Sequence, residues 1–352
     1  MTTASADVNA ANTAPQLSGT TAKPRRWKLK LGFAIGLLLL LGFSSWGYYA
    51  SREPIAFDPL SRAKVRAQAS NQQLVPGYVT TSTLIELTDT LLKKPGGYLS
   101  NDHLPPGVLL DNMPNFEFGM VQQLRDLSLA LRNDFSRSQT QSQDDADLSE
   151  AQPLYASPND RWIIPSTEGQ YSKGQNFVTT YLNRLADPNQ PKAQFYTRAD
   201  NLENYLRLVE KQLGSLSQRL SASVTHQRQN TDLASDPNAQ QSTNSSPMLA
   251  VRTPWLKIDD NFYEARGAAY ALLHIMKAIE VDFAPVLQTK NAQASLKQIM
   301  RELEETQGLI WSPMILNGGG FGFFANHSLV MANYISRASA QVSDLRQLLQ
   351  RG

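Results

Sequence analysis

Five polar side chains recur at three- and four-residue steps in the last third of the chain: Tyr263, Arg266, Tyr270, His274 and Lys277. Side chains three or four residues apart share one face of an α-helix. A stripe of guanidinium, phenol and imidazole groups suits a groove that binds an anionic or sugar-like ligand. The alternative is a solvated face or a hydrogen-bonded seam between helices, which is the more common role of such stripes.

Carboxylates in the first half of the chain are a second set of candidate functional groups. Two carboxyl groups about 5–9.5 Å apart can hydrolyse a glycosidic bond, one as the acid and the other as base or nucleophile. Acidic residues are also common at helix starts, where they interact favourably with the helix dipole. Separation in space decides between these roles, so both stay open for Asp102, Asp111, Glu117, Asp126 and Glu168.

Several other chemistries lack the residues that they require. The chain has no cysteine, which excludes disulfides, thiolate metal ligands and a cysteine nucleophile. Its four histidines are scattered and form no H-E-x-x-H motif. Residues 320–325 match G-x-G-x-x-A, but the predicted neighbours are helices, without the strand that a dinucleotide site needs. We therefore predict no cofactor and no metal site.

The elements that position these groups begin with an uncharged stretch at residues 31–51. Its 21 residues make a helix of about 31 Å, close to the ~30 Å hydrocarbon core of a bilayer. Bulky residues before Ala50 fit poorly with cleavage of a signal peptide. The stretch predicts an uncleaved signal anchor that crosses the membrane, with interfacial aromatic side chains at Trp46, Tyr48 and Tyr49.

Basic residues before this stretch set its predicted orientation. Five Lys or Arg lie within residues 23–30, more densely than after residue 51, which favours a cytoplasmic N-terminus. The predicted location is the bacterial inner membrane, with one pass and a periplasmic body. Residues 1–30 are predicted to form a disordered basic tail, whose residues at the membrane interface are Arg25, Arg26 and Lys28.

Glycines in the apolar stretch raise the question of self-association. Gly32 and Gly36 form a G-x-x-x-G pair, which allows two such helices to approach closely. A homodimer through this pair is one interpretation. The alternative, which we favour, is that glycine is simply common in membrane helices.

The charge balance excludes one class of partner. Beyond residue 30 the chain carries 28 basic and 30 acidic side chains. No basic face for a nucleic acid follows from that balance. The expected partners are the lipid bilayer and another envelope protein or cell-wall component.

Helical periodicity dominates the rest of the chain and predicts an all-α bundle of six to eight helices. Capping-box patterns at Thr83, Asp200 and Asn261 mark three helix starts. Two polar tracts, residues 138–153 and 226–250, have too few apolar residues to bury and are predicted to be long flexible loops. The predicted helices span about residues 84–94, 115–136, 169–186, 200–223, 261–284, 292–307 and 328–350.

The second polar tract sets the predicted domain organisation. It either divides two subdomains or forms a loop on a single bundle. We divide the chain into a tail (1–30), the membrane helix (31–51), a helical subdomain (52–225), a loop or linker (226–250) and a second helical subdomain that packs on the first (251–352).

Several motifs resemble a known family. They are KKPGGYLSND at 93–102, LPPGV at 104–108, LDNMPNFEFG at 110–119, WSPMILNG at 311–318 and FFANHS at 323–328. These segments resemble the domain of unknown function 2333 family of membrane-anchored bacterial envelope proteins, over about residues 25–350. The resemblance implies a proteobacterial origin and one N-terminal anchor. It implies no activity and no functional residues.

The segment 95–119 combines Pro and Gly with interspersed Asp and Asn, which is typical of loops that bind or dock a partner. The alternative is a loop that covers the end of the bundle.

We predict a membrane-tethered periplasmic protein with a non-enzymatic binding or scaffolding role in the envelope. The alternative is a cell-wall or lipid-processing enzyme with paired carboxylates. The candidate binding residues are Asp111, Asn112, Glu117, Glu168, Arg266, Tyr270 and His274.

Overall fold

The structure is a computed structural model that describes residues 26–105, 107–137, 143–189, 193–229, 248–312, 314–319 and 322–351. It confirms the prediction of an all-α chain with one apolar N-terminal helix. The α-helices of the described residues are α1 (Arg26–Ala50), α2 (Pro59–Ala69), α3 (Tyr78–Lys93), α4 (Asn112–Ala130), α5 (Ala146–Tyr155), α6 (Thr167–Leu185), α7 (Ala199–Ser221), α8 (Ile258–Asp282), α9 (Ala284–Thr289), α10 (Gln293–Glu305) and α11 (His327–Gln350).

Two compact units make up the chain, Met1–Ser45 and Trp46–Gly352. In the described part, one stretch of 21 residues within α1, Lys30–Ala50, is long and apolar enough to span a membrane. The second unit, which we call the body, contains the last turn of α1 and all later helices. Helices on both sides of residues 226–250 belong to the body, because α4 packs on α8 and α7 packs on α11.

The closest helix contact joins α4 and α8 through two glycines. A Cβ added at Gly119 would lie 2.0 Å from the carbonyl oxygen of Glu264, and one at Gly267 would lie 1.9 Å from that of Phe116. Backbones that approach this closely leave no room for any side chain at the crossing. The crossing fixes where α8 lies along α4, and therefore the position of the polar stripe on α8.

Helix starts differ from the capping-box predictions. The pattern at Thr83 lies inside α3, where the Thr83 hydroxyl donates to the carbonyl of Val79 (2.7 Å). Asp282, at the end of α8, accepts a hydrogen bond from the N–H of Thr80 (2.7 Å). A carboxylate from a distant helix thus satisfies the helix start that a local side chain was predicted to cap. Asn261 likewise lies inside α8, one turn after its start.

Both polar tracts contain regular structure where they are described. Residues 146–155 form α5 within the predicted loop 138–153. The Asp145 carboxylate caps this helix by accepting from Leu148 N (3.3 Å), and Leu148, Ala151 and Tyr155 are buried. Apolar residues three and four apart were therefore enough to bury one face. Helices such as α2 and α5 bring the number after α1 to ten in the described residues, against the predicted six to eight.

The second tract begins and ends with paired strands. β1 (His226–Gln229) pairs antiparallel with β2 (Met248–Val251). Residues 230–247 between them lie outside the described residues. The prediction that this tract separates two subdomains stays a prediction.

Loops from several helix ends meet where residues 46–53 enter the body. Gly96, just after α3, packs against Ala50. The amide of Asn115 near the start of α4 donates to Asp260 at the start of α8 (2.9 Å), and the rings of Phe262 and His327 are 6.4 Å apart. We call this the proximal end of the body. Its loops are residues 94–111, 156–166, 252–257 and 306–326.

Candidate functional site

The polar stripe on α8 binds an extended segment of the same chain, residues 53–57, which follows α1. Four residues of helix rise about 6 Å, and two residues of extended chain span slightly more, so the two repeats stay nearly in step. The stripe therefore meets every second residue of the segment. Arg266 binds Glu53, Tyr270 binds Ile55 and His274 binds Phe57.

Arg266 uses all five of its N–H groups, two on Glu53 and three on the loop after α10. Its Nε and Nη2 donate to the two carboxylate oxygens of Glu53 at 2.6 and 2.8 Å. Nη1 donates to the carbonyls of Thr306 (2.8 Å) and Gly308 (2.9 Å), and Nη2 also donates to that of Gln307 (3.3 Å). A guanidinium has five donors. Arg266 is buried and has none left for an added anion or sugar.

His274 also has both ring nitrogens engaged. Its Nδ1 lies 2.7 Å from the carbonyl oxygen of Tyr270, and its Nε2 accepts from the N–H of Phe57 (3.1 Å). This pattern requires the neutral imidazole with the proton on Nδ1. Burial lowers the pKa of His274 to about 4, so the ring stays neutral near pH 7. The Phe57 ring packs on it with 4.2 Å between centroids.

The other stripe residues complete a seam between elements. The hydroxyl of Tyr270 donates to the carbonyl of Ile55 (3.0 Å), and burial raises its pKa. Lys277 pairs with Glu304 on α10 (2.8 Å). Tyr263 is half-buried, and burial raises its pKa as well. The stripe is thus a hydrogen-bonded seam, which was the alternative to a ligand groove in the sequence analysis.

Glu117 forms a second cluster with the loop after α3. Its carboxylate lies 2.6 Å from the Lys94 ammonium, and both side chains are fully buried. It accepts from the N–H groups of Leu99 (2.9 Å) and Ser100 (2.8 Å) and from the Ser100 hydroxyl (2.6 Å). The ammonium also donates to the carbonyl of Gly97 (2.6 Å). Burial raises the pKa of Glu117, while Lys94 and these donors act in the opposite direction.

Glu168 at the start of α6 holds the next residue of that loop. It accepts from the side-chain amide of Asn101 (2.7 Å), which also donates to the carbonyl of Arg161 (3.1 Å). Burial, followed by the charge of Glu168, raises the pKa of the neighbouring Asp102. Asp102 and Glu168 are therefore a pair of carboxyl groups at the proximal end, close enough to influence each other.

Asp111 and Asn112 lie apart from both clusters. Asp111 is exposed and precedes α4 without capping it through its side chain. The side-chain oxygen of Asn112 is buried and accepts no hydrogen bond in the described structure. In the described part of the chain, no hydrogen bond or ion pair joins any two of Asp111, Glu117, Glu168, Arg266 and His274.

The predicted membrane-interface residues lie on α1. Trp46 is partly buried against the core, whereas Tyr48 and Tyr49 are 70% and 51% exposed. Arg52 covers the Tyr48 ring at 5.2 Å. Arg26 and Lys28 are in the first turn of α1, and Arg25 lies outside the described residues. A Cβ at Gly32 or Gly36 would meet nothing within 4 Å.

An open groove of about 480 Å³ lies beside Arg266 at the proximal end. Its walls come from α8, α11 and the loop after α10. Arg266 lines it with every donor used, and most of the other lining side chains are apolar. The apolar side chains lining it include Phe262, Leu309, Trp311, Leu316, Met331 and Tyr334.

Comparison with known proteins identifies the family. Its model, described as "Uncharacterized protein conserved in bacteria", matches residues 21–352. The chain belongs to the domain of unknown function 2333 (DUF2333) family. The match confirms the resemblance in the sequence motifs, and its range includes the basic flank and α1. No curated protein and no solved structure matches the chain.

Sequence reasoning missed Glu53 and Lys94, the partners of Arg266 and Glu117. Lys94 directly follows α3 and Glu53 comes three residues after the end of α1. A charged residue just after a helix looks like an ordinary solvated one. The alternation of Glu53, Ile55 and Phe57 was the available signal, because its period matches a helical stripe at four-residue steps.

Proposed function

We propose that this protein is anchored in the bacterial inner membrane by α1, with a cytoplasmic N-terminus and a periplasmic body that binds or scaffolds another envelope component without catalysis. One observation carries the non-catalytic part. The groups best suited to chemistry, led by Arg266 with its five engaged N–H groups, hold the protein's own loops. Groups that are hydrogen-bonded to loops in this way stabilise a fixed surface and have no free donor or acceptor for a substrate.

The membrane part of the proposal has separate support. Within α1, Lys30–Ala50 has the length and composition of a membrane span. Four basic residues precede it and Lys30 begins it, which favours retention of that flank in the cytoplasm. The body then faces the periplasm, an oxidising compartment in which a chain without cysteine forms no disulfide.

Reporter fusions test the anchor and its orientation. Alkaline phosphatase fused after Gly352 should be active, since it folds only outside the cytoplasm, and a fluorescent protein that matures only in the cytosol should stay dark there. Carbonate at high pH should leave the full chain in the membrane pellet. A fluorescent C-terminal fusion, or release by carbonate, would contradict the proposal.

A photo-crosslinking residue tests the binding role in living cells. Placed at Val330, on α11 in the wall of the groove, it should give one adduct of constant mass. The control position is Val65 on α2, which is also exposed but does not line this groove. A binding role predicts an adduct at Val330 and none at Val65. Equal yields at both positions, or no adduct at either, would count against it.

A carboxylate enzyme is the second candidate, and Asp102 with Glu168 favours it. Two carboxyl groups with different environments are what acid–base hydrolysis requires, and burial with the nearby Glu168 charge raises the pKa of Asp102. Purified protein should then release soluble fragments from peptidoglycan, and Asp102→Asn should abolish the release without unfolding the chain. Absence of release by the wild-type protein would exclude cell-wall cleavage.

A further inference from the structure

Exposed large apolar side chains of the body are concentrated on the proximal loops. Among the described loops at the opposite end, the exposed large apolar side chain is Leu74, at 42%. Soluble surfaces rarely gather such side chains in one region unless the region contacts something apolar. The proximal examples, each at least 69% exposed, include Leu109, Ile163, Trp255, Leu256, Trp311 and Phe323.

These loops are neighbours although they are far apart in sequence. The rings of His103 and Trp162 are 5.5 Å apart, which joins the loops 94–111 and 156–166. Arg266 donates to Gly308 and so joins the start of α8 to the loop after α10. The Asn115–Asp260 hydrogen bond joins the starts of α4 and α8, next to residues 252–257.

The same end holds the last turn of α1, which ends the apolar span. A Cβ added at Gly47 would lie 3.8 Å from Leu110 Cδ2, and Gly96 packs on Ala50. Tyr48 and Tyr49 in that turn are the residues expected at headgroup depth. Residues in direct contact with this turn lie at or near the same depth, so lipid is the apolar phase within reach of the loops.

Tryptophan placement points to the same occupant. The chain has five tryptophans. Trp27 and Trp46 lie near the two ends of α1, and the other three, Trp162, Trp255 and Trp311, are exposed on proximal loops. Tryptophan favours membrane interfaces because its large ring is apolar and its N–H is polar. A protein-binding surface would not require all three exposed tryptophans of the loops to lie at the end of the body that holds the last turn of α1.

We propose that the proximal loops insert their apolar side chains into the interface of the bilayer that holds α1, so that the body lies directly on the lipid. The inference rests on the proposed anchor. It adds a second membrane contact, made by the body itself, and assigns the bilayer as the phase that covers the exposed side chains of the proximal loops.

Spin labels at single cysteines test the contact, since the natural chain has no cysteine to remove. The full chain carries Ile163→Cys, Leu256→Cys or Phe323→Cys in vesicles of phosphatidylethanolamine and phosphatidylglycerol. Leu74→Cys is the aqueous control and Leu38→Cys the lipid control. All five positions are exposed in the structure, so the labels displace no core residue. The measurement compares accessibility to oxygen, which enters lipid, with accessibility to a water-soluble nickel chelate.

Oxygen accessibility should exceed nickel accessibility at the three loop positions, as at Leu38→Cys, with the opposite order at Leu74→Cys. Loop labels that behave like Leu74→Cys, while Leu38→Cys remains in lipid, would overturn the inference and leave the anchor standing. Loop labels shielded from both reagents would overturn it in favour of a protein partner or a second copy. An aqueous Leu38→Cys label would overturn the anchor and the inference together.

Discussion

Several buried charged and polar side chains in this protein bind main-chain atoms of its loops. Arg266 binds three consecutive carbonyls after α10, and Glu117 binds two consecutive N–H groups after α3. Each such group was removed from water and regains its hydrogen bonds only if the loop keeps one conformation. Loss of one partner therefore leaves the other buried and unsatisfied, which costs more than the bond itself.

His274 should make stability depend on pH. Its pKa is about 4 in the folded state against an unperturbed value of 6.5. Between these values the unfolded chain binds a proton and the folded chain does not, so stability falls as pH falls. The contribution is complete above pH 6.5 and declines by about 3 kcal/mol towards pH 4.

Urea unfolding of wild type and His274→Gln over this pH range checks the prediction. Other titrating groups are common to both proteins and cancel in the difference between their unfolding free energies. The advantage of wild type over the variant should shrink by about 3 kcal/mol from pH 7 to pH 4. Parallel profiles would show that His274 is not held as a buried neutral ring.

Glu117→Ala should be far more destabilising than loss of a surface ion pair. The substitution leaves the Lys94 ammonium buried without a countercharge, with the Gly97 carbonyl as its acceptor, which typically costs about 3–5 kcal/mol. Glu304→Ala is the matched control, because it removes an ion pair with Lys277 that is largely exposed and is worth about 1 kcal/mol or less. Chemical denaturation measures the unfolding free energy of both variants. Equal losses in Glu117→Ala and Glu304→Ala would contradict a buried ion pair.

At the scale of elements, the crossing of α4 and α8 is the contact with the least tolerance. Gly267→Ala would place a methyl group 1.9 Å from the carbonyl oxygen of Phe116, so the helices must separate. We expect a loss of about 3 kcal/mol, the upper part of the usual range for overpacking. Gly214→Ala in α7 meets nothing within 4 Å and should instead stabilise the protein by about 1 kcal/mol. Thermal unfolding of the two variants and the wild type measures these changes in stability. If Gly267→Ala does not lower stability, α4 and α8 are further apart than described here.

The seam between α8 and residues 53–57 should open when its guanidinium is removed. Lysine keeps the charge of Arg266 but cannot reproduce five donors in one plane. In Arg266→Lys the N–H of Phe57, which donates to His274, should exchange faster with deuterium in mass-spectrometric experiments. Arg337→Lys is the control, since Arg337 pairs with Glu302 at a site where its side chain is 53% exposed. Unchanged exchange at Phe57 in Arg266→Lys would show that Tyr270 and His274 alone hold the segment.

Periodicity predicted most of the long helices because each has a continuous apolar face. The predicted helices at 169–186, 200–223 and 328–350 match α6, α7 and α11 to within two residues. In α5 only a few apolar residues form the buried face. Most residues of that segment are polar, so the helical spacing of the apolar ones was not recognised. Where a cap comes from another element, as with Asp282 at α3, no local motif reports it.

The stripe on α8 was predictable as a stripe, but its partner was not. Spacing within one helix places Arg266, Tyr270 and His274 on a common face, and the structure confirms that placement. What that face binds depends on contacts more than 200 residues apart, and a helical period contains no information about them. Lys94 was missed as the partner of Glu117 because this ion pair joins two different elements, the end of α3 and α4, and a period within one helix does not report such a contact.

For the whole molecule, self-association through α1 is a separate prediction. Gly32 and Gly36 present open backbone, because an added Cβ meets nothing within 4 Å at either. If two chains pair there, Gly32→Leu with Gly36→Leu should abolish energy transfer between labelled chains in vesicles. Gly42→Leu, six residues on and facing another direction, should leave it unchanged. Equal energy transfer in the wild type and in both variants would exclude a dimer through this pair. The stability of the body should be the same in all three proteins.

The binding of residues 53–57 along α8 also bears on the linker that follows α1. A free chain over residues 51–57 would extend by about 23–25 Å, enough to let a tethered domain sample a wide volume. Here three side chains of α8 hold this segment against the body. If α1 is the membrane anchor that we propose, the segment gives the body no free tether. Partners in more distant layers of the envelope would then have to approach the membrane, and lateral diffusion would bring the protein to partners in its own bilayer.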